Sequence, residues 1–524
     1  MNRIDLNKFV NSFLFLVFLS LPLTYILITG GFLVDDWGQL ANDRSLGAQI
    51  SSWQYLWSYR PVSWILIPTV VHLLQDNFIL ISLLHISAYV FFVYQLLNWE
   101  KIEFNQVQKK IAAVLILSPV FASTFLLSPV NQLSASLSLF FFSLGLYLEK
   151  KLPDKSYTRA LVFMIFLISA FAYEMSLPFI LMHFLFSLRA DRKSFLKYFS
   201  LPLLLSLLVI WQKIIATSVF GSDYSRLGSF TLIPLFSFAL NYILSIPYLL
   251  LKCIVDNPAS VLVLAIFMNF LLFMKPIYVL EKSRLSLANT VIFLGFISNG
   301  ALFLFSGRYA KVDGYANRGM TASWILFSLL LVAFLSGQNK WFRYLLIIIV
   351  AANSFLFFEK LSDSAKASGY RSSILSSIVD SKLMTKDSPS ILILNVPCFL
   401  PDSSFQIEMF CTSWDAKEAL RSRGLEIKSV LPAEDPDFFF YLNRELPFSS
   451  VEVVNFSRNF EVLNVEPLDS TDLDRLLITS KQKAEMSELL IAGCKSRMSS
   501  TLNFKFSGRF SDYSECLNVF LSAH

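Results

Sequence analysis

The chain has 524 residues, of which 55% are hydrophobic and only 16% are charged, and its formal net charge is +6. Soluble domains carry about 25% charged residues, so this composition and the mean hydropathy of +0.57 exclude an ordinary soluble protein. They indicate an integral membrane protein. The basic excess lies in loops between apolar segments, where it sets orientation and does not mark a nucleic-acid partner.

Apolar runs near the length of about 20 residues needed to cross a bilayer recur between residues 10 and 358. The first run, "FVNSFLFLVFLSLPLTYILITGG", is too long for a signal-peptide core, which predicts a retained helix. Residues 235–256 are interrupted by Pro247 and carry two charges, which predicts an interfacial or re-entrant segment on the outer side. The pattern therefore predicts an α-helical polytopic membrane protein with about eleven transmembrane helices.

The distribution of lysine and arginine predicts the orientation of these helices. Basic residues concentrate in alternate loops, which are cytoplasmic by the positive-inside rule, and the N-terminus is expected on the same side. The first extended loop, 31–60, and the C-terminus are then expected outside the cytoplasm, in a multi-pass protein of the cytoplasmic membrane. The basic loops are 98–110, 149–159, 188–197, 275–284 and 337–343.

After residue 358 the composition becomes polar. "SILILNV" (390–396) and "VEVVNF" (451–456) are typical of strands, whereas 412–424 and 470–493 have helical patterns. About 165 residues is one domain's worth. We therefore expect a transmembrane domain over 1–358 and a soluble C-terminal α/β or α+β domain over 359–524, periplasmic or extracellular.

An acid pair, Asp35 and Asp36, follows the first apolar run in "GGFLVDDWGQL". On residue type alone, a solvated turn would explain it. However, Trp37 is typical of a membrane interface, and the tryptophan-rich stretch 51–66 suits a helix lying along the surface. In "YRPVSW", Arg60 precedes a proline that is well placed to begin a second helix.

A lone acid, Glu174, lies within about thirty apolar residues between two cytoplasmic arginines. Thirty residues are too many for one crossing and too few for two. We expect two short helices that meet near Tyr173 and Glu174, with the carboxylate facing a protein-lined cavity, because an acid facing lipid is costly. The alternative is a structural acid paired with a buried arginine.

A third outlier is the outer loop "SGRYAKVDGYANRGM" (306–320), which carries Arg308, Lys311 and Arg318 against one aspartate. Arginine can hold phosphate oxygens with its bidentate fork, and lysine binds them as a point charge. A plain solvated loop is the alternative. Together, the outer face offers carboxylates that can accept a proton and cations that can hold a phosphate.

The order of these motifs resembles GT-C glycosyltransferases, specifically those similar to protein O-mannosyltransferases and their bacterial relatives. The resemblance is carried by the acid pair followed by "YRPVSW" and by "NFILISLLHISAYVFFVYQLL", which includes His85. It continues through 126–148 and through the glutamate followed by proline in "FAYEMSLPF". It covers roughly residues 10–190, the 306–320 loop loosely, and not 360–524.

The resemblance implies a transferase that uses a polyprenyl-phosphate-linked sugar as its donor and no cofactor, and the two-residue acid pair does not by itself make a metal site. Asp35 or Asp36 would be the general base, with inversion at the anomeric carbon, and Glu174 would share the site. The arginines and lysine would stabilise the leaving phosphate, and three further side chains are candidates for substrate contacts. The predicted phosphate ligands are Arg60, Arg308, Lys311 and Arg318, and the predicted substrate contacts are Trp37, His85 and Tyr173.

The acceptor and the function class have alternatives. Many protein O-mannosyltransferases have Asp-Glu where this chain has Asp-Asp, so a surface glycan or a lipid is as suitable an acceptor as a protein. A transporter or flippase of lipid-linked sugars would also need cations at membrane depth, but it predicts inverted repeats, which the sequence does not show. A non-enzymatic membrane scaffold is the third class. The four histidines have no metal-ligand spacing.

Four cysteines, an even number, fall in the C-terminal domain. In an oxidising compartment they predict disulfides. Among the three connectivities, Cys398–Cys411 and Cys494–Cys516 close the shortest loops and cost the least entropy. Buried reduced thiols are the alternative.

Overall fold

The computed structural model describes most residues between Leu6 and Pro467, and the described part is mostly helical with one small β-sheet. The residues outside this description are 1–5, 34, 41–44, 154, 191–194, 221–232, 273–286, 307–310, 313–314, 337–339, 381–390, 397–398, 401–402, 404, 406, 411–412, 426, 428, 433–450, 457–461 and 468–524.

Helices follow one another closely along the described chain. The α-helices are α1 (Leu6–Thr29), α2 (Asp35–Gly38), α3 (Leu46–Trp57), α4 (Pro61–Leu73), α5 (Phe78–Leu97), α6 (Gln106–Leu117), α7 (Thr124–Leu127), α8 (Leu133–Lys151), α9 (Ser156–Ala172), α10 (Leu177–Ala190), α11 (Phe195–Ile210), α12 (Ala216–Phe220), α13 (Ile233–Leu240), α14 (Ile246–Asp256), α15 (Pro258–Leu272), α16 (Leu287–Ser306), α17 (Thr321–Ser336), α18 (Lys340–Asp380) and α19 (Ser413–Arg421). Short 3₁₀ helices occupy Val120–Ala122, Glu174–Ser176 and Tyr315–Met320, and π-helical segments occupy Trp211–Ile215 and Asn241–Ser245.

Polar caps set the starts of several membrane helices. The side chain of Asn77 accepts the Leu80 N–H at 3.1 Å at the start of α5. At the start of α6, Asn105 and Gln108 form a reciprocal capping box, with N···O distances of 2.9 and 3.0 Å. These bonds satisfy N–H groups that have no partner within the helix. The starts of these helices are therefore encoded locally.

Five helical segments among the described residues are long and apolar enough to cross a membrane, which makes the chain a helical membrane protein. The sequence predicted about eleven. Six further apolar helical stretches of 10–17 residues lie among the described residues, and two of them are parts of the longer helices α1 and α16. The five segments are Phe78–Leu97, Ser200–Phe220, Pro234–Asp256, Asn317–Leu335 and Trp341–Asp380.

The segment 235–256 differs from its predicted interfacial or re-entrant form. It is part of one of the five long segments, Pro234–Asp256, and it is continuous helix. Pro247 is accommodated directly after the π-helical stretch Asn241–Ser245, because local π adjustments re-satisfy the backbone groups that a proline frees in a membrane helix. By length and composition this segment can cross the bilayer.

The chain divides into two compact units. The first comprises Met1–Ile28, Asp43–Val312 and Ala316–Leu361, and the second comprises Thr29–Asn42, Asp313–Tyr315 and Ser362–His524. This division differs from the sequence prediction, which placed the whole loop 31–60 in the transmembrane domain. The early part of that loop groups with the C-terminal part of the chain.

In the first unit, α8 packs against α5 and α9 at close range. Ser138 and Ser169 each donate a side-chain hydrogen bond to the other's carbonyl, at 2.8 and 2.7 Å. Farther along the same pair, the ring of Phe166 lies directly on Gly145, and a Cβ atom at Gly145 would be 2.4 Å from the ring. Small residues thus allow α8 and α9 to approach closely.

In the second unit, the strands are β1 (Ile391–Asn395), β2 (Ser429–Pro432), β3 (Val451–Phe456) and β4 (Val462–Pro467). Their order in the sheet is β2-β1-β3-β4. β1 is parallel to β2 and β3, whereas β4 is antiparallel to β3. The helix α19 connects β1 to β2 and packs on β2, as a crossover between parallel strands requires.

The sheet confirms the two strands predicted near 391 and 451, and α19 confirms the helix predicted at 412–424. The predicted helix at 470–493 and all four C-terminal cysteines lie outside the described residues. The class of the whole domain 359–524 therefore stays a prediction. Cys253, in α14, is a buried free thiol.

Candidate functional site: an ion pair at a helix break

Arg60 lies at the sharp turn between α3 and α4. Pro61 occupies the first position of α4, where its fixed φ favours helix initiation. Trp64 ties the two helices together, because its indole Nε1 donates to the carbonyl oxygen of Ile50 at 2.7 Å. As a result, the Arg60 side chain points into the unit, where the residue is only 2% exposed.

Glu174 lies at a break between α9 and α10. Tyr173 has an extended backbone, with φ −163° and ψ 144°, and this ends α9. The hydroxyl of Ser138 donates to the carbonyls of both Ser169 and Tyr173 at 2.8 Å, and Ser63 donates to that of Ala172. The bonds to Ala172 and Tyr173 satisfy carbonyls at the break, whereas the Ser169 carbonyl also accepts the Tyr173 N–H at 3.2 Å. The predicted meeting of two helices near Tyr173 and Glu174 is confirmed.

Arg60 and Glu174 form a buried ion pair across 114 residues of sequence. The Nε of Arg60 donates to Oε2 of Glu174 at 3.0 Å, and Nη2 donates to the same oxygen. Gln212, in a π-helical segment, donates to the other carboxylate oxygen at 3.3 Å. The Glu174 side chain keeps 17% exposure, whereas that of Arg60 keeps 3%.

Aromatic rings enclose the guanidinium. Its central carbon lies 3.6 Å from the ring centroid of Tyr173, 5.0 Å from that of Tyr59 and 5.7 Å from that of Trp57. Such contacts between a cation and the face of a ring are favourable, most of all when desolvated. These six residues form the Arg60–Glu174 cluster, which consists of Trp57, Tyr59, Arg60, Tyr173, Glu174 and Gln212.

The cluster keeps Arg60 charged. Burial lowers the pKa of Arg60, but the Glu174 carboxylate opposes this effect, and the net result is a pKa above the usual value. The sequence predicted that Arg60 binds a substrate phosphate. In this arrangement its Nε and Nη2 groups already bind Glu174, so they are not available to a phosphate. An incoming anion would have to replace the carboxylate. The alternative suggested by the sequence, a structural acid paired with a buried arginine, describes this state.

The acid pair of the first loop belongs to the second unit. Asp36 is fully buried, and its Oδ2 accepts the Leu33 N–H at 3.0 Å. Asp35 begins α2, and its side chain lies outside the described residues. Trp37, predicted at a membrane interface and as a substrate contact, is instead 8% exposed and packs edge-on against Phe32 at 5.3 Å.

His85 has a structural role in place of the predicted substrate contact. It is fully buried in α5, and its ring nitrogens lie 2.9 Å from the Ser136 hydroxyl and 2.8 Å from the Phe125 carbonyl oxygen. Both nitrogens are therefore occupied by protein atoms. The sequence could not reveal this, because its partners lie 40 and 51 residues away.

The basic loop is described only in part. Arg308 lies outside the described residues, Lys311 is exposed, and Arg318 is half-buried on the 3₁₀ helix Tyr315–Met320. The neighbouring Asn317 holds this helix in place. Its side chain accepts the Thr124 N–H at 3.1 Å and donates to the Ser123 hydroxyl at 3.2 Å.

The sequence analysis missed two side chains. Gln212 donates a hydrogen bond to Glu174, and Asn317 holds the 3₁₀ helix of the basic loop. A glutamine followed by lysine in an otherwise apolar segment was the available signal for Gln212. Within the described ranges, no group of three or more histidine, cysteine, aspartate or glutamate side chains could hold a metal ion. Comparison of the chain with protein-family models, curated proteins and solved structures gives no match.

Proposed function

We propose that the chain is an inverting glycosyltransferase of the cytoplasmic membrane, which moves a sugar from a polyprenyl-phosphate carrier to an acceptor at the outer face. The observation that carries this proposal is the pairing of Arg60 with Glu174. Buried ionisable groups in a membrane protein are costly and are usually functional. Here both belong to motifs on which the resemblance to GT-C enzymes rests.

The pair has the chemistry that a phosphate site needs. Glu174 holds the Arg60 fork ready and is itself half-buried, so it is the partner that a donor phosphate can displace. Arg308, Lys311 and Arg318 would stabilise the negative charge that develops on the leaving phosphate. Tyr173, stacked on Arg60, would limit the angle from which the donor approaches.

The proposed reaction is a direct displacement. The acceptor hydroxyl oxygen forms a bond to the anomeric carbon, and the bond from that carbon to the phosphate oxygen breaks. The acceptor proton passes to an aspartate of the first loop, and the lipid phosphate leaves with the electron pair. Asp35 is the proposed base, because Asp36 already accepts a backbone hydrogen bond.

A surface glycan is the acceptor that we favour, with a lipid or a protein as the other classes. Asp-Asp at the first loop departs from the Asp-Glu of many protein O-mannosyltransferases. The C-terminal domain also does not resemble theirs. Both departures argue against a protein acceptor more than against the transfer chemistry itself.

A transporter or flippase of lipid-linked sugars is the second candidate. The helix break at Tyr173 and the π-helical segments Trp211–Ile215 and Asn241–Ser245 favour it, because transporters use broken helices around their binding sites and π-bulges often mark functional positions. Gln212 of one such segment contacts Glu174. The two candidates differ in whether a glycosidic bond forms.

One reconstitution separates these candidates. The purified full chain is placed in liposomes with short polyprenyl-phosphate sugars and a glycan acceptor, and products are measured by mass spectrometry. Transfer by the parental protein, lost in Asp35→Asn and kept in the matched loop control Asp76→Asn, supports the proposal. Movement of the intact lipid-linked sugar without a new glycosidic bond would establish the transporter instead.

A cellular comparison tests the same proposal. In a strain that lacks the chain, a transferase predicts accumulation of its polyprenyl-phosphate sugar and loss of one sugar from a surface glycan. Both species are measurable by mass spectrometry. Unchanged lipids and glycans would overturn the transferase and favour the non-enzymatic scaffold.

A further inference from the structure

The segment that carries the acid pair packs into the second unit along several residues. Gly31 lies so close to α18 that a Cβ atom there would be 2.3 Å from the Ser368 hydroxyl. Leu33, Trp37 and Leu40 are all buried, with exposures of 7%, 8% and 2%. The short helix α2 also packs on α19. The C-terminal part of the chain therefore holds this segment in place.

Asp36 is the polar group at the centre of this packing. Its backbone N–H donates to the Leu33 carbonyl at 2.7 Å, and its carboxylate accepts the Leu33 N–H at 3.0 Å. The two bonds close a tight turn immediately before Asp35 and Asp36 enter α2. Because the carboxylate has no exposure, its negative charge needs a compensating cation.

Arg371, on α18, is a buried cation of this unit. It is 2% exposed, and its Nη1 donates to the Glu408 carbonyl oxygen at 2.7 Å. The negative charges of three carboxylates, those of Asp415, Asp36 and Glu408, favour the protonated form of Arg371. Asp415, in the first turn of α19, is fully buried like Asp36. Arg371 lies three residues after Ser368, the residue of α18 that approaches Gly31, so the buried arginine and the turn of Asp36 meet the same stretch of α18.

We propose that Arg371 is a positioning residue, which holds the turn of Asp36 against α18 and α19 and so fixes the aspartate pair at the start of α2. The role of that pair in transfer rests on the proposed function, whereas the clamp itself does not. The C-terminal domain then sets the position of the early part of the first loop, because its charges act on Asp36. Asp36 has this structural role, and the proposed base, Asp35, is its neighbour in the sequence.

Hydrogen exchange measured by mass spectrometry tests the clamp on the full chain in lipid nanodiscs. Arg371→Met removes the buried cation whose charge acts on both acids, so we expect faster amide exchange in peptides covering 31–40 and 413–421. The matched control, Arg423→Met, removes an exposed arginine just after α19 and should leave both peptides unchanged. Unchanged exchange at 31–40 in folded Arg371→Met would overturn the proposal.

Kinetics separate positioning from a general loss of stability. If Arg371 positions the aspartate pair, Arg371→Met lowers kcat on the order of 100-fold, which is the usual cost of misplacing a catalytic group by about 1 Å. The donor KM should stay unchanged. The double variant Arg371→Met/Asp415→Asn removes the arginine and one buried acid. We expect it to regain melting temperature but not kcat, since the clamp on Asp36 is still missing.

Recovery of kcat together with melting temperature in the double variant would show that Arg371 only stabilises the fold. Arg371→Lys keeps the positive charge but lacks the bidentate guanidinium, and it replaces Arg371→Met in these experiments if the methionine variant does not fold. We expect amide exchange at 31–40 to be slower in Arg371→Lys than in a folded Arg371→Met, and faster than in the parental chain. If the parental chain transfers no sugar, the proposed function fails, whereas the exchange experiment still decides the clamp.

Discussion

Asp36, the second aspartate of the first loop, is buried. Asp36 lies wholly inside the protein and caps its own turn through the Leu33 N–H. Its carboxylate has no surface from which to reach an acceptor hydroxyl. A general base must come within hydrogen-bond reach of the proton that it abstracts. We therefore propose its neighbour in the sequence, Asp35, as the base.

We expect Asp35→Asn to lower the transfer rate by about 10²- to 10⁴-fold, the usual contribution of a general base. Asp36→Asn keeps an acceptor for the Leu33 N–H but loses the charge on which the Arg371 clamp depends, so it should lower the rate on the order of 100-fold, as Arg371→Met does. Initial rates at saturating donor, with equal amounts of folded protein, give the comparison. An inactive Asp36→Asn beside an active Asp35→Asn would reverse this assignment.

The Arg60–Glu174 pair allows a separate test of structure against function. Removing one partner, in Arg60→Met or Glu174→Gln, leaves the other charge uncompensated and should cost about 3–5 kcal/mol of the free energy of unfolding. The double variant Arg60→Met/Glu174→Leu should recover most of that loss. Denaturant titration in mixed micelles measures the stability, and the liposome assay measures transfer.

If the pair serves phosphate binding, the double variant is stable but inactive. If it is only structural, stability and transfer return together. The exposed pair Lys150–Glu100 provides the control, since its side chains keep 59% and 72% exposure and Lys150→Met should change neither property.

At the scale of elements, the position of the Glu174 break depends on the packing of α9 against α8. Ser138 of α8 bonds the last carbonyls of α9, and Gly145 admits the Phe166 ring about two turns earlier along α9. Phe166 in turn stacks on Phe142 at 5.5 Å. The break is therefore held by the α8–α9 interface as well as by its own sequence.

Gly145→Ala should disturb this interface, because the new methyl group would overlap the Phe166 ring. The expected cost is about 1–3 kcal/mol, typical of overpacking in a close-packed interior. Thermal unfolding followed by tryptophan fluorescence measures it, and Gly145→Ala/Phe166→Leu should restore the melting temperature. The matched control is Gly369→Ala on α18, where the added atom meets nothing within 4 Å. Equal melting temperatures for parental protein and Gly145→Ala would contradict the close approach.

At the scale of the whole molecule, α18 carries two different environments along one helix. Its 41 residues extend about 60 Å at 1.5 Å per residue, twice the thickness of a hydrocarbon core. The first half is apolar, whereas the stretch from Glu359 to Asp380 contains six charged residues. We expect the second half to leave the bilayer on the side opposite the basic loop 337–343.

This orientation predicts where impermeant reagents can reach. In intact cells, a membrane-impermeant thiol reagent should label Arg423→Cys, whereas Lys151→Cys should react only after permeabilisation. The labelling of the native cysteines, measured in the parental protein, is subtracted from both. Both positions are exposed in the protein. Labelling of Lys151→Cys in intact cells would overturn the topology and the outer location of the first loop with it.

The sequence by itself determined the features that depend on neighbouring residues. Apolar runs predicted a helical membrane protein, and the length of the run around Glu174 predicted two helices that meet there. The β-branched and aliphatic runs near 391 and 451 predicted strands. Each of these signals is local, because helix caps, proline positions and hydrophobic periodicity act over a few residues.

Only the tertiary structure decided which charges meet. Arg60 finds Glu174 across 114 residues, His85 is committed to Ser136 and Phe125, and Arg371 is buried where the charges of Asp36 and Asp415 act on it. None of these pairings leaves a periodic or local signal in the sequence. They arise because a buried charge must find an opposite charge or a hydrogen-bond partner wherever the packing of helices brings one near.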